Sequence, residues 1–402
     1  MKKKLLVLCL SKISIVALSQ WTLQPSPTNK LLRSVYFPNK NIGYAVGNSG
    51  AIIKTVNGGI NWTTQNSGTY WNLYSVFFTS VLNGYAVGDS GTIIKTVNGG
   101  TSWTRLFFGT PGFLRSIHFV NSTHGFIAGN WIYGQILKTI DGGAHWDSSV
   151  IRTGLELNSI FFTDSVTGYV ACGIHPPYNP PGGDIHKTTD GGTSWTYSNT
   201  LNTPLLSVFF ANDSLGYVAG SGIILRSLNG GLSWDTTVTA NYSLNCVHFP
   251  GADTGYIVGY SGVIIKTVNR GKTWTALSSG TKRHLYSVYF TDVNSGYAVG
   301  DSGTILKTTN GGSFFIDEKK SMETSFMLYP NPTYHKFTLT NKFNIPKETI
   351  ISIFTIKGEH IFNNIFHNQN EIEIDLCKFE KGIYFVQIRT NLELEYKKVV
   401  IQ

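Results

Sequence analysis

Hydrophobic residues along this chain are grouped into short runs that recur at a constant spacing. One copy begins with SVYF at 34–37, continues with GYAVG at 43–47 and AIIKTV at 51–56, and ends with NWTTQ at 61–65. Gly, Asn, Asp and Ser cluster between the runs, a pattern that predicts β-strands joined by turns. The spacing of about 41 residues is the length expected of a four-stranded propeller blade.

The same unit occurs seven times between residues 20 and 315. Its most recognisable part, KTVNGGINWT at 54–63, returns at six later positions, which begin at Lys95, Lys138, Lys187, Arg226, Lys266 and Lys307. No copy has a helical period, and so short a unit cannot bury both of its own faces. We therefore expect an all-β fold in which seven blades stack radially into a β-propeller.

The two ends of this repeat region complement each other. The seventh copy lacks the Trp-Thr strand that ends the others, and QWTLQ at 20–24 supplies such a strand. Trp21 lies thirteen residues before Ser34, which is the spacing of Trp62 from Ser75. We expect the N-terminal strand to be the outer strand of the last blade, so that it closes the ring.

The Asn-Gly-Gly or Asp-Gly-Gly of each copy lies between its third and fourth strands. Asn or Asp followed by Gly is a strong hairpin signal, because these residues tolerate positive φ. The full pattern, Thr-x-Asn/Asp-x-Gly-x-x-Trp, resembles the Asp-box of bacterial neuraminidase repeats, and Asp141 and Asp190 retain the acid. The resemblance implies a folding element rather than a repeated catalytic site.

The blades as a set resemble those of the photosystem II assembly and stability factor family. This resemblance rests on SVYF…GYAVGNSGAIIKTVNGGINW at 34–62 and on its six related copies. It implies the propeller fold and says much less about function, because one fold hosts many activities. A role in photosystem assembly inside the cell would follow from the blades alone.

The composition changes near residue 316, where the density of charged residues rises. Residues 316–325 form a polar linker, and the alternating runs of 326–402 predict a small Ig-like β-sandwich. LYPNPT at 328–333, GIYFVQI at 382–388 and the terminal KKVVIQ closely resemble the type A C-terminal sorting domain of the type IX secretion system.

This second resemblance implies export across an outer membrane. The implied partners are the type IX secretion machinery and its sortase, which would remove the tail. The protein would then be secreted or attached to the outer cell surface. Such a tail argues against a role in photosystem assembly, because it would carry the protein away from any internal photosystem.

The N-terminus also indicates export. MKKK is followed by LLVLCL and ISIVALS, with small residues near position 19, so residues 1–19 are interpreted as a signal peptide. The formal net charge of +9 includes four lysines in that segment. The Lys54-type cations are distributed one per blade, and we interpret them as solvated strand residues that do not indicate nucleic-acid binding. No other apolar run is long enough for a transmembrane segment.

No catalytic motif is evident in the sequence. GDSGT at 88–92 and 300–304 occupies the turn between the second and third strands of a blade, and no metal or phosphate-binding motif is present. A glycosidase needs two paired carboxylates, and nothing pairs Glu156, Asp184 and Asp235. We predict no catalytic residue, no metal and no cofactor. A secreted glycan-cleaving hydrolase of the Asp-box propeller type is the alternative.

Two departures from the repeat predict where a ligand would bind. The connection between the second and third strands grows to GNWIYGQ at 129–135 and to CGIHPPYNPPGGD at 172–184. Functional residues concentrate on such loops, and aromatic side chains are good anchors. The candidate binding residues on these insertions and on the loops between blades are Trp131, Tyr133, His175, Tyr178, Trp71 and Arg152. The alternative is that these loops only cover the channel mouth.

A second candidate is the ring of residues that precede each inner strand. We expect it to surround the channel entrance, where Arg33 and Arg115 could hold an anion; the alternative is that the ring solvates the pore. Its members are Arg33, Tyr74, Arg115, Asn158, Leu206, Asn245 and Tyr286. The sequence thus predicts a secreted or cell-surface, non-catalytic propeller that binds a protein or glycan ligand.

Overall fold

The computed structural model describes residues 21–106, 112–130, 134–174, 182–312, 326–341, 348–356, 358–390 and 394–402. These residues fall into two compact units, one within 20–312 and one within 313–402. The predicted signal peptide and the predicted linker lie outside the described residues. Among those described, no helix is long and apolar enough to cross a membrane.

The first unit is built from antiparallel sheets that follow one another along the chain. After β1 (Thr22–Leu23), the first sheet has the order β2 (Leu32–Tyr36), β3 (Gly43–Gly47), β4 (Ile52–Thr55) and β5 (Thr63–Gln65). The next sheets repeat this order as β6 (Leu73–Phe78), β7 (Gly84–Gly88), β8 (Ile93–Thr96) and β9 (Thr104–Leu106), and as β10 (Phe113–Phe119), β11 (Gly125–Asn130), β12 (Gly134–Thr139) and β13 (Asp147–Ile151). A further four-stranded sheet contains β14 (Leu157–Phe162), β15 (Gly168–Ile174), β16 (Gly182–Thr188) and β17 (Thr196–Leu201).

The next sheet departs from this pattern because two of its strands are long. Its order is β18 (Leu205–Phe210), β19 (Gly216–Ser227), β20 (Asp235–His248), β21 (Gly255–Gly259), β22 (Ile264–Thr267) and β23 (Thr275–Leu277). The first part of β19 pairs with β18 and the rest pairs with β20, while β20 pairs with β21 from Leu244 onward. Each long strand therefore covers two segments that are separate strands in the other sheets.

The last sheet of this unit joins the two ends of the repeat region. It contains β24 (Leu285–Phe290), β25 (Gly296–Gly300) and β26 (Ile305–Thr308), and β1 pairs with β26 in antiparallel fashion. Trp21 is 1% exposed, and its ring meets the Phe290 ring edge-on at 5.7 Å. This is the pairing that the spacing of Trp21 predicted.

Successive sheets pack face to face and bury the apolar runs between them. In β3, β7, β21 and β25, which are the GYAVG-type strands, all five residues are buried. Burial on both faces explains why these strands read as continuous apolar runs rather than alternating ones. In one such interface Tyr44, Val46 and Ile52 pack against Leu73 and Val76 of the following sheet.

The Thr-x-Asn/Asp-x-Gly-x-x-Trp turn is held by its own side chains. The Gly59 amide donates to Thr55 Oγ1 at 2.9 Å, and the Asn61 amide donates to Asn57 Oδ1 at 3.0 Å. Gly59 has φ +76°, and a Cβ there would lie 2.6 Å from the Tyr297 ring. The equivalent glycine amides donate to Thr96, Thr139, Thr188, Ser227, Thr267 and Thr308. The turns are structural throughout the ring.

Five of the seven repeated cations are bound to a neighbouring sheet, so the expectation that they are solvated strand residues is wrong for them. Lys54 Nζ donates to the Gly99 carbonyl at 2.7 Å, and the Tyr44 hydroxyl donates to the same oxygen at 2.8 Å. In this arrangement, a lysine and a tyrosine of one sheet donate to the same carbonyl oxygen in the Gly-Gly turn of the neighbouring sheet. The same arrangement is formed by Lys95 and Tyr85, Lys187 and Tyr169, Lys266 and Tyr256, and Lys307 and Tyr297. These clamps hold neighbouring sheets in register.

Replacing Lys54 with methionine is expected to lower the free energy of unfolding by about 1–2 kcal/mol, because the Gly99 carbonyl loses a charge-assisted hydrogen bond. Urea denaturation of the chain measures the change. Lys40→Met, at an exposed position between β2 and β3, is the matched control. Equal stability of the two variants would contradict the clamp.

The second unit contains two antiparallel sheets over one apolar core. Its strands are β27 (Phe326–Tyr329), β28 (Lys336–Asn341), β29 (Glu348–Thr355), β30 (His360–His367), β31 (Glu371–Asp375), β32 (Gly382–Thr390) and β33 (Leu394–Ile401). The sheet orders are β27-β28-β31 and β30-β29-β32-β33. Asn331 joins the LYPNPT segment to the C-terminus, because its side chain donates to the Lys398 carbonyl and accepts from the Val400 amide.

Candidate functional site

A β-bulge occurs near the start of the inner strand of each repeat. In β2, Leu32 pairs with Gly47 and Ser34 pairs with Val46, so Arg33 is an extra residue without a partner in the ladder. A bulge bends the strand locally and redirects the side chain of the extra residue. The same one-residue shift in β6, β10, β14, β18, β20 and β24 leaves Tyr74, Arg115, Asn158, Leu206, Asn245 and Tyr286 as the extra residues.

These bulged residues are the predicted ring, and the structure brings them together around one cavity. The cavity has a volume of about 340 Å³, and it is lined by all of them together with Glu156 and Tyr260. We call it the mouth cavity, because it lies where the inner strands begin. The bulges are thus the local cause of the site.

Two guanidinium groups in the mouth cavity share one tyrosine ring. Arg33 lies 4.8 Å and Arg115 lies 4.6 Å from the centre of the Tyr74 ring, distances that allow cation–π attraction. Arg33 Nε donates to Asn48 Oδ1 at 2.8 Å. Arg115 Nη2 lies 3.4 Å from Glu156 Oε2. Stacking and hydrogen bonding therefore hold both cations at the edge of the cavity.

Two tyrosines of the mouth cavity, Tyr74 and Tyr286, have raised pKa values because of their surroundings. Burial, with a smaller contribution from Asp301, raises the pKa of Tyr286 to about 12. Burial and a hydrogen bond to Asp89 raise the pKa of Tyr74 as well. Both aspartates come from the GDSGT turns, which agrees with a structural role for those segments. Neutral hydroxyls and ring faces are thus presented beside the two arginines.

A closed circuit of aromatic rings lies three residues further along the inner strands. Neighbouring ring centres are 4.6–5.4 Å apart all the way round, within the range of favourable aromatic pairs. Its members are Tyr36, Phe77, His118, Phe161, Phe209, His248 and Tyr289. We call it the aromatic ring, and each member lies on the same inner strand as one of the bulged residues that line the mouth cavity. Burial lowers the pKa of both His118 and His248 to about 4.

Trp71 and Arg152 are not among the residues that line the mouth cavity. Trp71 is 45% exposed on the connection from β5 to β6, and Arg152 is exposed on the connection from β13 to β14. Both connections lead into inner strands at the mouth end. Four predicted residues lie outside the described part of the chain, and they are Trp131, Tyr133, His175 and Tyr178.

The acids considered for hydrolysis are placed in different environments. Glu156 lines the mouth cavity beside Arg115, whereas the Asp184 side chain is 7% exposed and lies 3.7 Å from His186 Nε2. Asp235 is exposed at the start of β20. Within the described residues, no group of three or more His, Cys, Asp or Glu side chains is placed to hold a metal ion.

The two units define an exported β-propeller protein with a C-terminal sorting domain. Residues 327–402 match the family of secretion system C-terminal sorting domains, and this tail indicates export by the type IX secretion system to the cell surface or beyond. Residues 13–112 and 194–284 match the family described as photosynthesis system II assembly factor YCF48. The resemblances of the blades to the photosystem II assembly factor family and of the tail to secretion sorting domains are confirmed.

Several solved structures share the propeller fold. YCF48 bound to D1 peptide is 19% identical with a TM-score of 0.61, and the match covers 74% of this chain and 99% of that one. YCF48 from Cyanidioschyzon merolae is also 19% identical, with a TM-score of 0.59 and coverage of 73% and 99%. PorZ, a surface component of the type IX secretion system of Porphyromonas gingivalis, is 11% identical with a TM-score of 0.56 and coverage of 94% and 60%. No curated protein matches the chain.

Proposed function

We propose that this protein is a secreted or cell-surface, non-catalytic propeller that binds a protein or glycan ligand at the mouth cavity. The observation that carries the proposal is the pair of arginines stacked on Tyr74. Among the described residues, the terminal nitrogens of Arg33 have no hydrogen-bond partner, although its Nε is bound by Asn48. A guanidinium held in this way presents a fork that matches a carboxylate.

The architecture in this proposal is a ring of seven blades, followed along the chain by an Ig-like sandwich. The six-stranded sheet would be two blades that β20 joins, and its two long strands support this division. The aromatic ring also supports it, since each of seven inner strands contributes one member. The Thr-x-Asn/Asp-x-Gly-x-x-Trp turns would be Asp-boxes, and the hydrogen bonds within them support a folding role.

The residues that line the mouth cavity support ligand binding better than they support hydrolysis. Retaining and inverting glycosidases both need two carboxyl groups that flank the scissile bond. The described lining of the cavity includes one carboxylate, Glu156, and its neighbour is Arg115 at 3.4 Å. Turnover of a glycan by the chain, abolished in Glu156→Gln, would favour the hydrolase alternative.

The ligand would approach from the outside of the cell, where the sorting domain delivers the propeller. The type IX secretion machinery would be the first partner, and its sortase would remove the tail. Trp71, Arg152 and the inserted loops at 129–135 and 172–184 would extend the binding surface around the mouth. A protein ligand is supported by the peptide bound to the similar YCF48 structure, and a glycan ligand by the many hydroxyl and amide groups of the cavity.

Replacing Arg33 with glutamine is expected to weaken ligand binding by about tenfold or more, because a charge-assisted bond of at least about 1.4 kcal/mol is lost. A screen of glycans and surface proteins against the chain from residue 20 identifies the ligand, and titration measures the loss. Lys40→Gln is the charge-matched control at a distant exposed position. Equal affinities of the two variants would place the site elsewhere.

A further inference from the structure

The two sheets of the second unit have four edge strands, and three of these edges are protected against pairing with another chain. The end of β33 is covered by the LYPNPT segment, since the Thr333 amide donates to the Val400 carbonyl at 2.8 Å. β27 has only four residues. The exposed positions of β31 are all acidic, and they are Glu371, Glu373 and Asp375. Coverage, shortness and charge are the usual ways in which proteins keep a sheet edge from pairing.

The fourth edge strand, β30, has none of these protections. It is eight residues long, with the sequence HIFNNIFH, and it pairs with β29 alone. A bulge leaves Ile361 without a partner in β29, and the pairing is regular from Phe362 to His367. Within the described residues, this regular part of β30 has no strand on its other side. It is therefore open to pairing with a further strand.

The aromatic side chains of β30 are only partly covered by the core of the unit. Phe362 and Phe366 pack against that core and remain partly exposed. Asn364 lies between them on the same side of the sheet, because side chains alternate along a strand. Ile365 lies on the opposite side and is 48% exposed. A further strand paired with β30 would cover both rings and extend the core.

The sequence of β30 fits antiparallel pairing with its own copy. A two-fold axis perpendicular to the sheet keeps each face on its own side, so a residue on the axis meets itself. With Asn364 on the axis, Phe362 lies opposite Phe366 of the second copy, and amide meets amide at the centre. Aromatic pairs across strands stabilise a sheet. An axis at Asn363 or at Ile365 would instead place a phenylalanine opposite Asn364.

Charge also favours a second copy as the occupant of this edge. Residues near a two-fold axis face equivalent residues of the other copy, so a charged edge repels itself. The acids of β31 disfavour such self-pairing. β30 contains no Asp, Glu, Lys or Arg that could repel its copy or attract a charged partner. It is therefore the edge on which two copies can meet.

We propose that two copies of this protein pair through β30, which joins their four-stranded sheets into one sheet of eight strands. The paired edge is about 20 Å long, and it buries roughly a few hundred Å² on each copy, below the area of a standard interface. We therefore expect a weak dimer, with a dissociation constant on the order of 10 µM. The pairing does not depend on the ligand of the mouth cavity, and removal of the tail would separate the two propellers.

Sedimentation velocity of the chain from residue 20, at concentrations from about 1 to about 100 µM, tests the inference. We expect monomer at the low end of the series and dimer at the high end. Asn364→Lys places like charges opposite each other on the axis and should weaken the dimer by about tenfold or more. Gln369→Lys adds the same charge at an exposed position just beyond β30. This control should dimerise like the parent.

A cysteine on the axis supplies an independent test of the register. Facing Cα atoms of an antiparallel pair are about 4.5–5.5 Å apart, which is within the range that a disulfide spans. Cys377 is exposed, so the variants are made in a Cys377→Ser background. Under mild oxidation Asn364→Cys should form a covalent dimer, and Gln369→Cys, the matched control, should not.

Three results would overturn the inference. The first is a chain that stays monomeric over the whole concentration series. The second is a dimer that Asn364→Lys leaves intact while the variant melts like the parent, because its interface would then lie elsewhere. The third is equal cross-linking of Asn364→Cys and Gln369→Cys, which would reflect random collision rather than pairing about Asn364.

Discussion

Replacing Trp21 with alanine is expected to lower the melting temperature of the propeller by about 10 °C. Truncation of a buried tryptophan costs about 3–5 kcal/mol, and each kcal/mol corresponds to about 2–4 °C in a domain of this size. Trp21 also anchors β1, which pairs with β26 and closes the ring. Loss of the anchor therefore weakens the pairing of β1 with β26, while the Lys307 and Tyr297 clamp to Gly58 still joins the last sheet to the first.

Leu23→Ala is the matched control, since Leu23 lies on the same short strand but is 65% exposed. Its melting temperature should stay within about 1 °C of the parent, as expected for a surface change. Calorimetry of the chain from residue 20 measures both variants. Equal melting temperatures for Trp21→Ala and Leu23→Ala would show that the N-terminal strand does not close the ring.

Acid should destabilise the propeller between about pH 6.5 and pH 4, because of the two histidines in the aromatic ring. Burial lowers the pKa of His118 and of His248 to about 4, whereas an unfolded histidine titrates near 6.5. In this window the unfolded state binds more protons than the folded state, so the free energy of unfolding falls as pH falls. Each histidine contributes up to about 3 kcal/mol.

The double variant His118→Phe and His248→Phe should flatten this pH dependence. Phenylalanine already occupies the equivalent positions 77, 161 and 209, so the aromatic ring can accept it. Urea denaturation at several pH values measures the slope. His367→Phe is the control, because His367 is exposed at the end of β30. A slope that is the same in the parent and the double variant would contradict the assignment to His118 and His248.

The repeat could be predicted from the sequence, and so could the closure of the ring by the N-terminal strand. The apolar runs predicted the strands because a strand buried on both faces, such as Gly43–Gly47, has little room for polar residues. The position of Trp21 predicted the pairing of β1, because Trp62, Trp103, Trp146 and Trp274 also precede the next inner-strand motif by thirteen residues. The ring of bulged residues was also predicted as a set, since it precedes the same motif in each copy.

The contacts between repeats could not be predicted in the same way. Lys54 has the sequence signature of an exposed strand residue, and only the stacking of sheets reveals that its ammonium group reaches the Gly99 carbonyl. The bulge at Arg33 leaves no signal, because it depends on the register between two strands. The continuous β20 depends on the same kind of long-range pairing.

The aromatic ring could have been predicted from the sequence. The third residue of each SVYF-type run is Tyr, Phe or His in all copies, and a position that stays aromatic around a ring must face its neighbours. The insertions in the loops are easier to recognise in the sequence, because they interrupt the repeat. The described part of the chain places the best-defined candidate site at the mouth cavity, where Arg33 and Arg115 share Tyr74.

Hydrogen–deuterium exchange of the chain, with and without the ligand from the binding screen, tests the location of the site most directly. Amides near the bulges at Arg33, Tyr74 and Arg115 should exchange more slowly when the ligand is bound, because the ligand covers the mouth cavity. The turns at 57–61 and 98–102, at the far end of the strands, should be unaffected. Protection confined to those turns, or to the outer strands β5 and β9, would contradict binding at the mouth.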